Sequence, residues 1–342
     1  MSKTNQRKIE HIEAFAHDAG IERAGRHFDR IHLSHRALPE CNLADVDTQT
    51  SILGKALSFP FLISSMTGGD HPDILKINHN LAKAAEQQSV ALAVGSQRVL
   101  FKSEDAQASF ALRELAPSVP LIANIGAVQL NYELETRHFQ HAMDVLDGDA
   151  IYLHLNALQE AVQPEGDTNF SDLIEKMARL RDQLKRPVWI KEVGCGFSKS
   201  DLKKLVAYGF DAIDVAGHGG TSWSRVEQHR GAPHDLGLTF QDWGIPTPMA
   251  LRNTLDYPSI HTRIASGGIR NGVDMIKCVI IGANLCGVAA PLLAAALDSS
   301  ETVAETIKRF QHEFRVAMFL LGCTTLEQLS GNESLIEYAD WY

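Results

Sequence analysis

The chain has 342 residues, 44% of them hydrophobic, and a formal net charge of −10 at neutral pH. This length accommodates one large α/β barrel or two ordinary domains. The acidic balance, together with the lack of a strongly basic run, argues against a nucleic-acid partner.

The first residues, MSKTNQRKIEHIEAF, are polar and charged and lack the apolar core of a signal peptide. They contain a cationic cluster of Arg7, Lys8 and His11, which composition alone describes as an ordinary solvated terminus. The five cysteines are widely spaced and form no C-x-x-C pair. We therefore expect a reducing compartment and a cytoplasmic location.

From about residue 59 onward the chain alternates short apolar runs with longer amphipathic ones, and a different pattern precedes them. Residues 50–60 (TSILGKALSFP) have the Gly-centred alternation of a hairpin, which we expect to plug the base of a barrel. Eight apolar, often β-branched runs then predict strands. They are 61–66, 91–95, 121–126, 150–155, 187–192, 212–217, 263–268 and 285–290.

Helical patterns fill the gaps between these runs, for example at 73–88, 169–185 and 199–208. Eight strands with crossover helices predict an α/β fold of the TIM (β/α)8 barrel type with an N-terminal extension. We expect one domain, with residues 1–58 as the extension, 59–312 as the barrel and 313–342 as a C-terminal tail.

Two segments need a separate interpretation. Residues 217–248 are too long and Gly-rich for a simple turn, so they form either a lid or a disordered loop, and their two tryptophans favour a lid. Residues 278–297 carry no charge and are long enough for a membrane span. Their Asn, Gly and Pro residues instead predict a helix end, a short strand and a turn, so we expect no membrane association.

In a TIM barrel the segments that follow the strands share one rim, where ligands bind. The unusual polar residues of this chain fall in those segments, which predicts an active site there. The segments are Ser65–Gly69, Ser96–Arg98, Asn124, His154–Glu160, Lys191–Glu192, His218–Trp223, Gly267–Arg270 and Ala289–Ala290.

The sequences SGGIR (266–270) and GVAAP (287–291) follow the seventh and eighth strands, where barrels commonly bind phosphate. Gly267 and Gly268 allow backbone N–H groups to approach an anion, and the next helix adds its positive N-terminus. A tight turn that merely needs glycine is the alternative. Two such turns side by side favour phosphate.

Two charged residues of the rim have open interpretations. Lys191, at the end of the fifth strand, needs an anionic partner, which is either the N1/O2 edge of a reduced flavin or the adjacent Glu192. Glu160 suits Mg²⁺, which takes one or two protein carboxylates, but it equally suits the first turn of a helix. No G-x-G-x-x-G follows a strand, so no Rossmann domain is predicted.

Nine motifs give the chain a specific resemblance over nearly its whole length. They are RKIEHI (7–12), SSMTGG (64–69), GSQR (95–98), LHLNALQE (153–160), KEVGCGFS (191–198), GHGGTSW (217–223), DWGIPT (242–247), SGGIRNG (266–272) and GVAAPLL (287–293). In this order, they resemble the type 2 isopentenyl-diphosphate isomerases. Cys195 departs from the pattern, since we expect a bulkier apolar or aromatic residue there, and its thiol is expected to be exposed.

The resemblance implies three sets of site residues. FMN is expected to contact Ser65, Met66, Thr67, Gly68, Ser96, Asn124, Lys191 and Thr221, with its phosphate at Gly267, Gly268, Ile269, Arg270, Ala289 and Ala290. The substrate diphosphate is expected at Arg7, Lys8, Ser96, Gln97, Arg98, His154, Asn156 and Gln159, which makes the N-terminal extension part of the substrate site. Candidate catalytic residues are His154, Gln159 and His11, and Glu160 is expected to bind Mg²⁺.

The resemblance also implies the reaction. Isopentenyl and dimethylallyl diphosphate, intermediates of isoprenoid biosynthesis, are interconverted by adding one proton and removing another, with reduced FMN as the proton donor and acceptor. NADPH serves only to reduce the flavin. A homo-oligomer, either a tetramer or an octamer, is expected.

An FMN oxidoreductase of the hydroxy-acid oxidase type is the main alternative, since it shares the barrel, the phosphate site, the lysine and a His-Gly-Gly turn such as 218–220. Those enzymes place an Arg after the turn to bind a carboxylate, where this chain has Thr221. A nucleotide dehydrogenase requires a nucleophilic Cys in a rim loop, and only Cys195 lies near the rim. A non-catalytic flavin sensor lacks a second domain through which to signal.

Overall fold

Eight parallel strands close into a barrel in the computed structural model, which describes residues 10, 11, 13–15, 17–25, 27–66 and 68–341. These strands are β4 (Phe61–Ile63), β5 (Ala91–Ala93), β6 (Leu121–Gly126), β7 (Ala150–Leu155), β8 (Val188–Glu192), β9 (Ala212–Asp214), β10 (Thr262–Ser266) and β11 (Leu285–Val288). The strand order around the barrel is β10-β11-β4-β5-β6-β7-β8-β9. The predicted TIM barrel is confirmed.

Each strand begins within one residue of the sequence prediction, and several end earlier than predicted. β6 and β7 match the predicted 121–126 and 150–155, whereas β4 and β9 each end three residues before the predicted limit. The residues between the observed and predicted ends belong to the rim, where the chain leaves the sheet.

Helices cover the outside of the barrel. They are α1 (Pro72–Gln88), α2 (Thr136–Leu146), α3 (Ala157–Val162), α4 (Leu173–Gln183), α5 (Lys199–Ala207), α6 (Trp223–His229), α7 (Leu236–Thr239), α8 (Thr247–Leu255), α9 (Gly272–Ile281), α10 (Ala290–Asp298), α11 (Ser300–Leu320) and α12 (Leu326–Leu329).

The predicted helices at 73–88 and 199–208 are confirmed, and the helix predicted at 169–185 is shorter than expected. α5 begins with a capping box in which Ser198 and Asp201 bond to each other's backbone N–H. α4 begins at Leu173 rather than at residue 169, because the Asn169 side chain accepts from the Ser171 N–H and Asp172 is left-handed, with φ 54°.

The predicted hairpin is confirmed as β2 (Thr50–Ile52) and β3 (Lys55–Leu57), joined by a left-handed Leu53-Gly54 turn. Leu57 belongs to a buried cluster with inward-facing barrel residues such as Leu62 and Trp189. The hairpin therefore closes the end of the barrel opposite the rim. Fully burying a side chain of this size stabilises the fold by about 1.5–3 kcal/mol.

A second two-stranded sheet joins the two ends of the chain. β1 (Ile31–Leu33) pairs antiparallel with β12 (Ile336–Ala339). Beside it, α11 packs on the barrel through aromatic pairs, with Phe310 5.5 Å from Phe61 between ring centroids. The N-terminal residues thus reach the rim from a segment that is tied to the C-terminus.

The two segments that needed a separate interpretation, 217–248 and 278–297, are both folded. Residues 278–297 comprise the end of α9, then β11, then most of α10. Among the described residues, no helix is both long and apolar enough to cross a membrane. The 217–248 segment contains α6 and α7, and its Gly220 carbonyl accepts from the Arg23 N–H.

Candidate active site

A cavity of about 1540 Å³, including its open mouth, lies at the carboxyl ends of the barrel strands. Most residues predicted from the sequence line it. They are His11, Ser65, Met66, Ser96, Arg98, Asn124, His154, Asn156, Gln159, Glu160, Lys191, Thr221, Gly267, Gly268, Ile269, Arg270, Ala289 and Ala290. The eight rim segments predicted from the sequence therefore form one continuous site.

A few predicted residues lie elsewhere. Gln97 is fully buried outside the cavity, where its amide donates to the Ala142 carbonyl and accepts from the Asn124 N–H. The prediction that Gln97 binds substrate is corrected, because its polar atoms already bond within the protein. Gly68 is buried and does not line the cavity. Arg7, Lys8 and Thr67 fall outside the described residues.

One end of the cavity is suited to an anion. Gly267 and Gly268 have φ of 99° and 84°, and Gly268 packs directly against the backbone of Gly219, so a side chain fits at neither position. The adjacent α10 begins without a side-chain cap, which leaves its first N–H groups available at Ala289 and Ala290. Uncapped N–H groups and a helix N-terminus together form a phosphate site.

Arg270 lies at the same end and forms an ion pair with Glu22. Burial lowers the pKa of the Arg270 guanidinium from its usual value, although it stays a cation at any physiological pH. Glu22 also accepts a hydrogen bond from the Thr221 hydroxyl, 3.1 Å away. The N-terminal segment therefore contacts the anion site through a carboxylate that the sequence reasoning missed.

Lys191 lies on the floor of the cavity, and its ionic partner is Asp214 rather than the neighbouring Glu192. The Lys191 Nζ lies 3.1 Å from Asp214 Oδ2 and donates to the Ser266 hydroxyl at 3.2 Å. Successive residues of a strand point to opposite faces, so Lys191 and Glu192 cannot meet readily. The proposed Lys191–Glu192 salt bridge is thus wrong.

Glu192 instead binds the backbone of the loop that follows it. Its carboxylate accepts from the N–H groups of Val193, Gly194, Cys195 and Gly196. Burial raises the pKa of Glu192 to about 7, although these hydrogen bonds oppose the rise. Burial also raises the pKa of the Cys195 thiol to about 12, so this half-buried thiol is protonated and unreactive at neutral pH.

His154 is held by a chain of hydrogen bonds between neighbouring strands. Its Nδ1 lies 2.6 Å from Asn124 Oδ1, and the Asn124 amide donates to the Ser65 hydroxyl at 2.7 Å. Because the amide uses its N–H on Ser65, its oxygen accepts from His154, which assigns the ring proton to Nδ1. Gly126 makes room for the ring, since a Cβ there would lie 3.0 Å from Nε2.

A group of polar residues surrounds Glu160 in the first turn of α3. The buried carboxylate accepts from Asn156 at 2.8 Å, from the Gln163 amide and from the Asp167 N–H. Asp167 also pairs with Arg98. The site therefore contains an anionic carboxylate in a network of amides.

Glu227, on α6, holds the cavity-lining residues His11 and Gln159 and was missed by the sequence reasoning. It is fully buried, and its carboxylate accepts from Gln159 at 2.8 Å, contacts His11 Nε2 at 3.2 Å and pairs with Arg230. Burial raises the pKa of Glu227, but the hydrogen bond and charge of His11, followed by Gln159 and Arg230, outweigh it and lower the pKa to about 2. Trp223 packs edge-on against His11, with ring centroids 5.3 Å apart.

No group of three or more His, Cys, Asp or Glu side chains that could hold a metal ion occurs within the described part of the chain. A metal at Glu160 would therefore take most of its ligands from water or from a bound molecule, as Mg²⁺ commonly does with phosphates.

Comparisons with known proteins agree on the family. The FMN-dependent dehydrogenase family matches residues 2–110 and 128–337. The isopentenyl-diphosphate delta-isomerase of Paracoccus zeaxanthinifaciens is 56% identical over 336 residues, 96% of both chains. That of Hydrogenovibrio crunogenus is 52% identical over 338 residues, 98% of both.

Solved structures agree on the fold. The flavin-binding domain of baker's yeast flavocytochrome b2 superposes with a TM-score of 0.70 at 18% identity, covering 96% of this chain and 82% of that one. A mandelate oxidase variant does so with a TM-score of 0.62 at 18% identity, covering 96% of this chain and 97% of that one. At such identities the likeness concerns the barrel alone.

Proposed function

The chain belongs to the isopentenyl-diphosphate delta-isomerases within the FMN-dependent dehydrogenase family, and from this premise we propose how its cavity works. It binds reduced FMN and interconverts isopentenyl and dimethylallyl diphosphate by proton transfer, with Mg²⁺ on the diphosphate. The main support is that residues suited to a flavin phosphate and residues suited to a diphosphate line the two ends of one cavity.

The residues present fit FMN. The glycine turn at 267–268 and the uncapped start of α10 suit its phosphate, and Arg270 adds a cation at that end. Lys191, on the floor, suits the electron-rich edge of the flavin ring. When bound in reduced form, FMN supplies an acid and base that exchanges protons with the substrate and a π face that stabilises positive charge.

The other end of the cavity fits a diphosphate with a metal ion. Arg98 is a cationic donor there and Asn156 adds an amide, whereas His154, whose Nδ1–H is used on Asn124, would donate through Nε2 only as an imidazolium. Glu160 gives Mg²⁺ its protein carboxylate. Arg7 and Lys8, predicted from the sequence to bind the same diphosphate, complete the proposal. Several cations are required because a diphosphate carries about three negative charges that must be taken from water.

The side chains next to the reacting carbons act by orientation. Gln159 donates through its amide N–H to Glu227 and accepts at its oxygen from Asn156 at 3.2 Å, so its amide cannot flip. His11 and Trp223 form an aromatic wall beside it. This wall excludes water from a developing carbocation, and the Gln159 amide holds the alkene in position for proton transfer.

The hydroxy-acid oxidase alternative finds less support at the same positions. Thr221 stands where those enzymes have the carboxylate-binding arginine; it offers no cation to a hydroxy acid, and its hydroxyl is bonded to Glu22. His218 does not line the cavity, and burial lowers its pKa to about 4, so it is neutral at pH 7. We therefore expect no oxidation of lactate or mandelate.

An anaerobic assay tests the proposal. Purified protein with FMN, Mg²⁺ and NADPH receives isopentenyl diphosphate, and dimethylallyl diphosphate is measured with each component omitted in turn. We expect product only with reduced flavin and metal, and no stoichiometric consumption of NADPH. Product formed with oxidised flavin, or flavin reduction by a hydroxy acid, contradicts the proposal.

A matched pair of variants tests the metal site. Glu160→Gln removes the buried carboxylate, whereas Glu165→Gln neutralises a carboxylate in the loop after α3 that does not line the cavity. We expect Glu160→Gln to raise the Mg²⁺ concentration for half-maximal activity at least ~10-fold, since one carboxylate ligand is lost. Equal effects of the two substitutions would contradict the assignment.

A further inference from the structure

A buried ion pair lies directly under the floor of the cavity. The side chains of Lys191 and Asp214 are 7% and 0% exposed, and Lys191 Nζ lies 3.1 Å from Asp214 Oδ2. Lys191 lines the cavity, whereas Asp214 lies behind it. The cation that faces a bound ligand therefore carries its counter-ion on the side away from that ligand.

Asp214 is held in place by the barrel. Its Oδ1 accepts from the Ser266 hydroxyl at 2.6 Å and from the Ala216 N–H at 3.2 Å. Lys191 and Asp214 are also direct neighbours across β8 and β9. Three adjacent strands thus fix the carboxylate, and the same Ser266 hydroxyl accepts from Lys191.

Glu192, next to Lys191 in the chain, turns its carboxylate to the backbone N–H groups of the loop that follows, so it is not the close counter-ion of Lys191. Tyr152 lies beside the Lys191–Asp214 pair, and burial, followed by the charge of Asp214, raises the pKa of its phenol well above the usual value, so it is neutral. In a poorly solvated site an isolated ammonium acts strongly on a neighbouring ring, whereas a close ion pair acts mainly as a dipole. Asp214 therefore reduces the positive potential that Lys191 exerts in the cavity.

We propose that Asp214 is a positioning residue that aims Lys191 at the flavin and cancels much of its charge there, so that the site does not strongly favour the reduced, more anionic flavin over the oxidised one. This inference rests on the flavin binding in the proposed function. A catalyst that moves protons through reduced flavin gains from this balance, because a strongly stabilised flavin anion is a poor base.

Four proteins test the inference by their flavin reduction potentials, measured at equilibrium against redox dyes. They are the wild type, Asp214→Asn, Lys191→Gln and the double variant. Asp214→Asn leaves a bare cation and is expected to favour reduced flavin at least tenfold, a rise of about 30 mV for a two-electron couple. Lys191→Gln leaves a bare anion and is expected to lower the potential similarly.

The double variant is decisive, because it replaces an ion pair with a neutral pair. We expect its potential to lie close to that of the wild type. A double variant equal to Lys191→Gln alone, or an Asp214→Asn potential equal to that of the wild type, overturns the inference. If either single variant fails to fold with its unpaired buried charge, the double variant and the remaining single variant still give the comparison.

Tyr152→Phe is the matched control, since it alters the same buried layer without altering a charge. Its potential is expected to stay at the wild-type value, and a shift as large as that of Asp214→Asn would assign the effect to packing and overturn the inference. The measurement needs bound flavin but no turnover. A wild type that binds flavin and makes no dimethylallyl diphosphate therefore overturns the proposed function alone, and one that binds no flavin overturns both.

Discussion

At the scale of single residues, Glu227 links folding to the site. It is fully buried, yet its pKa is lowered from 4.5 to about 2 because its hydrogen bonds and ionic partners outweigh burial. A carboxyl group whose folded pKa is depressed stabilises the fold above its unfolded pKa, and this stabilisation is lost as the pH falls through the folded value. The relevant window therefore runs from pH 4.5 down to about 2.

Glu227→Gln is expected to remove this contribution, on the order of 3 kcal/mol at neutral pH. The substitution also leaves Arg230 and His11 facing a neutral amide, so kcat is expected to fall as Gln159 loses its fixed orientation. Urea unfolding of the flavin-free protein between pH 7 and 3 measures the first effect. The variant should show a flatter pH dependence than the wild type.

Glu165→Gln is the control, because Glu165 pairs with the same Arg230 from an exposed position. Its stability should change by less than ~1 kcal/mol, as expected for an exposed ion pair. If Glu227→Gln has the same pH dependence as the wild type, Glu227 is not the group that titrates.

At the scale of elements, the start of α10 is where a helix contributes directly to binding. It has no acidic residue in its first turn and no side-chain cap, although both are favourable at a helix N-terminus. A bound phosphate supplies the negative charge that the sequence omits. Ala290→Asp places a carboxylate there and is expected to weaken FMN binding at least ~100-fold, since like charges a few Å apart repel by several kcal/mol.

Ser200→Asp provides the comparison, because it adds the same charge to the exposed first turn of α5. Flavin fluorescence during titration gives both dissociation constants, and unfolding of the flavin-free proteins shows whether each helix is stabilised. FMN binding that survives Ala290→Asp would exclude this helix end as the phosphate site.

The elements were predictable to different degrees from the sequence, for physical reasons. Buried parallel strands are apolar throughout, so β6 and β7 were predicted to the residue. The carboxyl ends of the strands form the rim, which identified His154 and Lys191. Glu227 carried no such signal, because it lies in α6 of a long irregular segment and meets Gln159 only through the fold. The sequence does contain a signal for Asp214, since it is a carboxylate inside the apolar run 212–217. Its pairing with Lys191 depends on β8 and β9 being adjacent in the barrel.

At the scale of the whole molecule, the barrel and its terminal sheet differ in how they are held. The barrel closes on itself through eight strands, whereas β1 pairs, within the described part of the chain, with the short strand β12 alone. A separate anchor holds the residues before β1, since the Lys277 ammonium donates to the Phe28 carbonyl at 2.7 Å and Phe28 is buried. We therefore expect the terminal sheet to open without the barrel.

Truncating the chain after Leu335 removes β12 and tests this expectation by hydrogen exchange. The amides of residues 31–33 should lose most of their protection, because their ladder partners in β12 are gone. The barrel strands should keep theirs, because none of their hydrogen bonds involves β12.

Tyr338→Ala is the control, since it removes only the stacking on His32, at 4.1 Å between ring centroids, and leaves the backbone ladder in place. Faster exchange of β6 and β7 in the truncated chain would mean that the terminal sheet and the barrel unfold as one cooperative unit. The segment that reaches the rim would then be stabilised by the whole molecule rather than by its own local contacts.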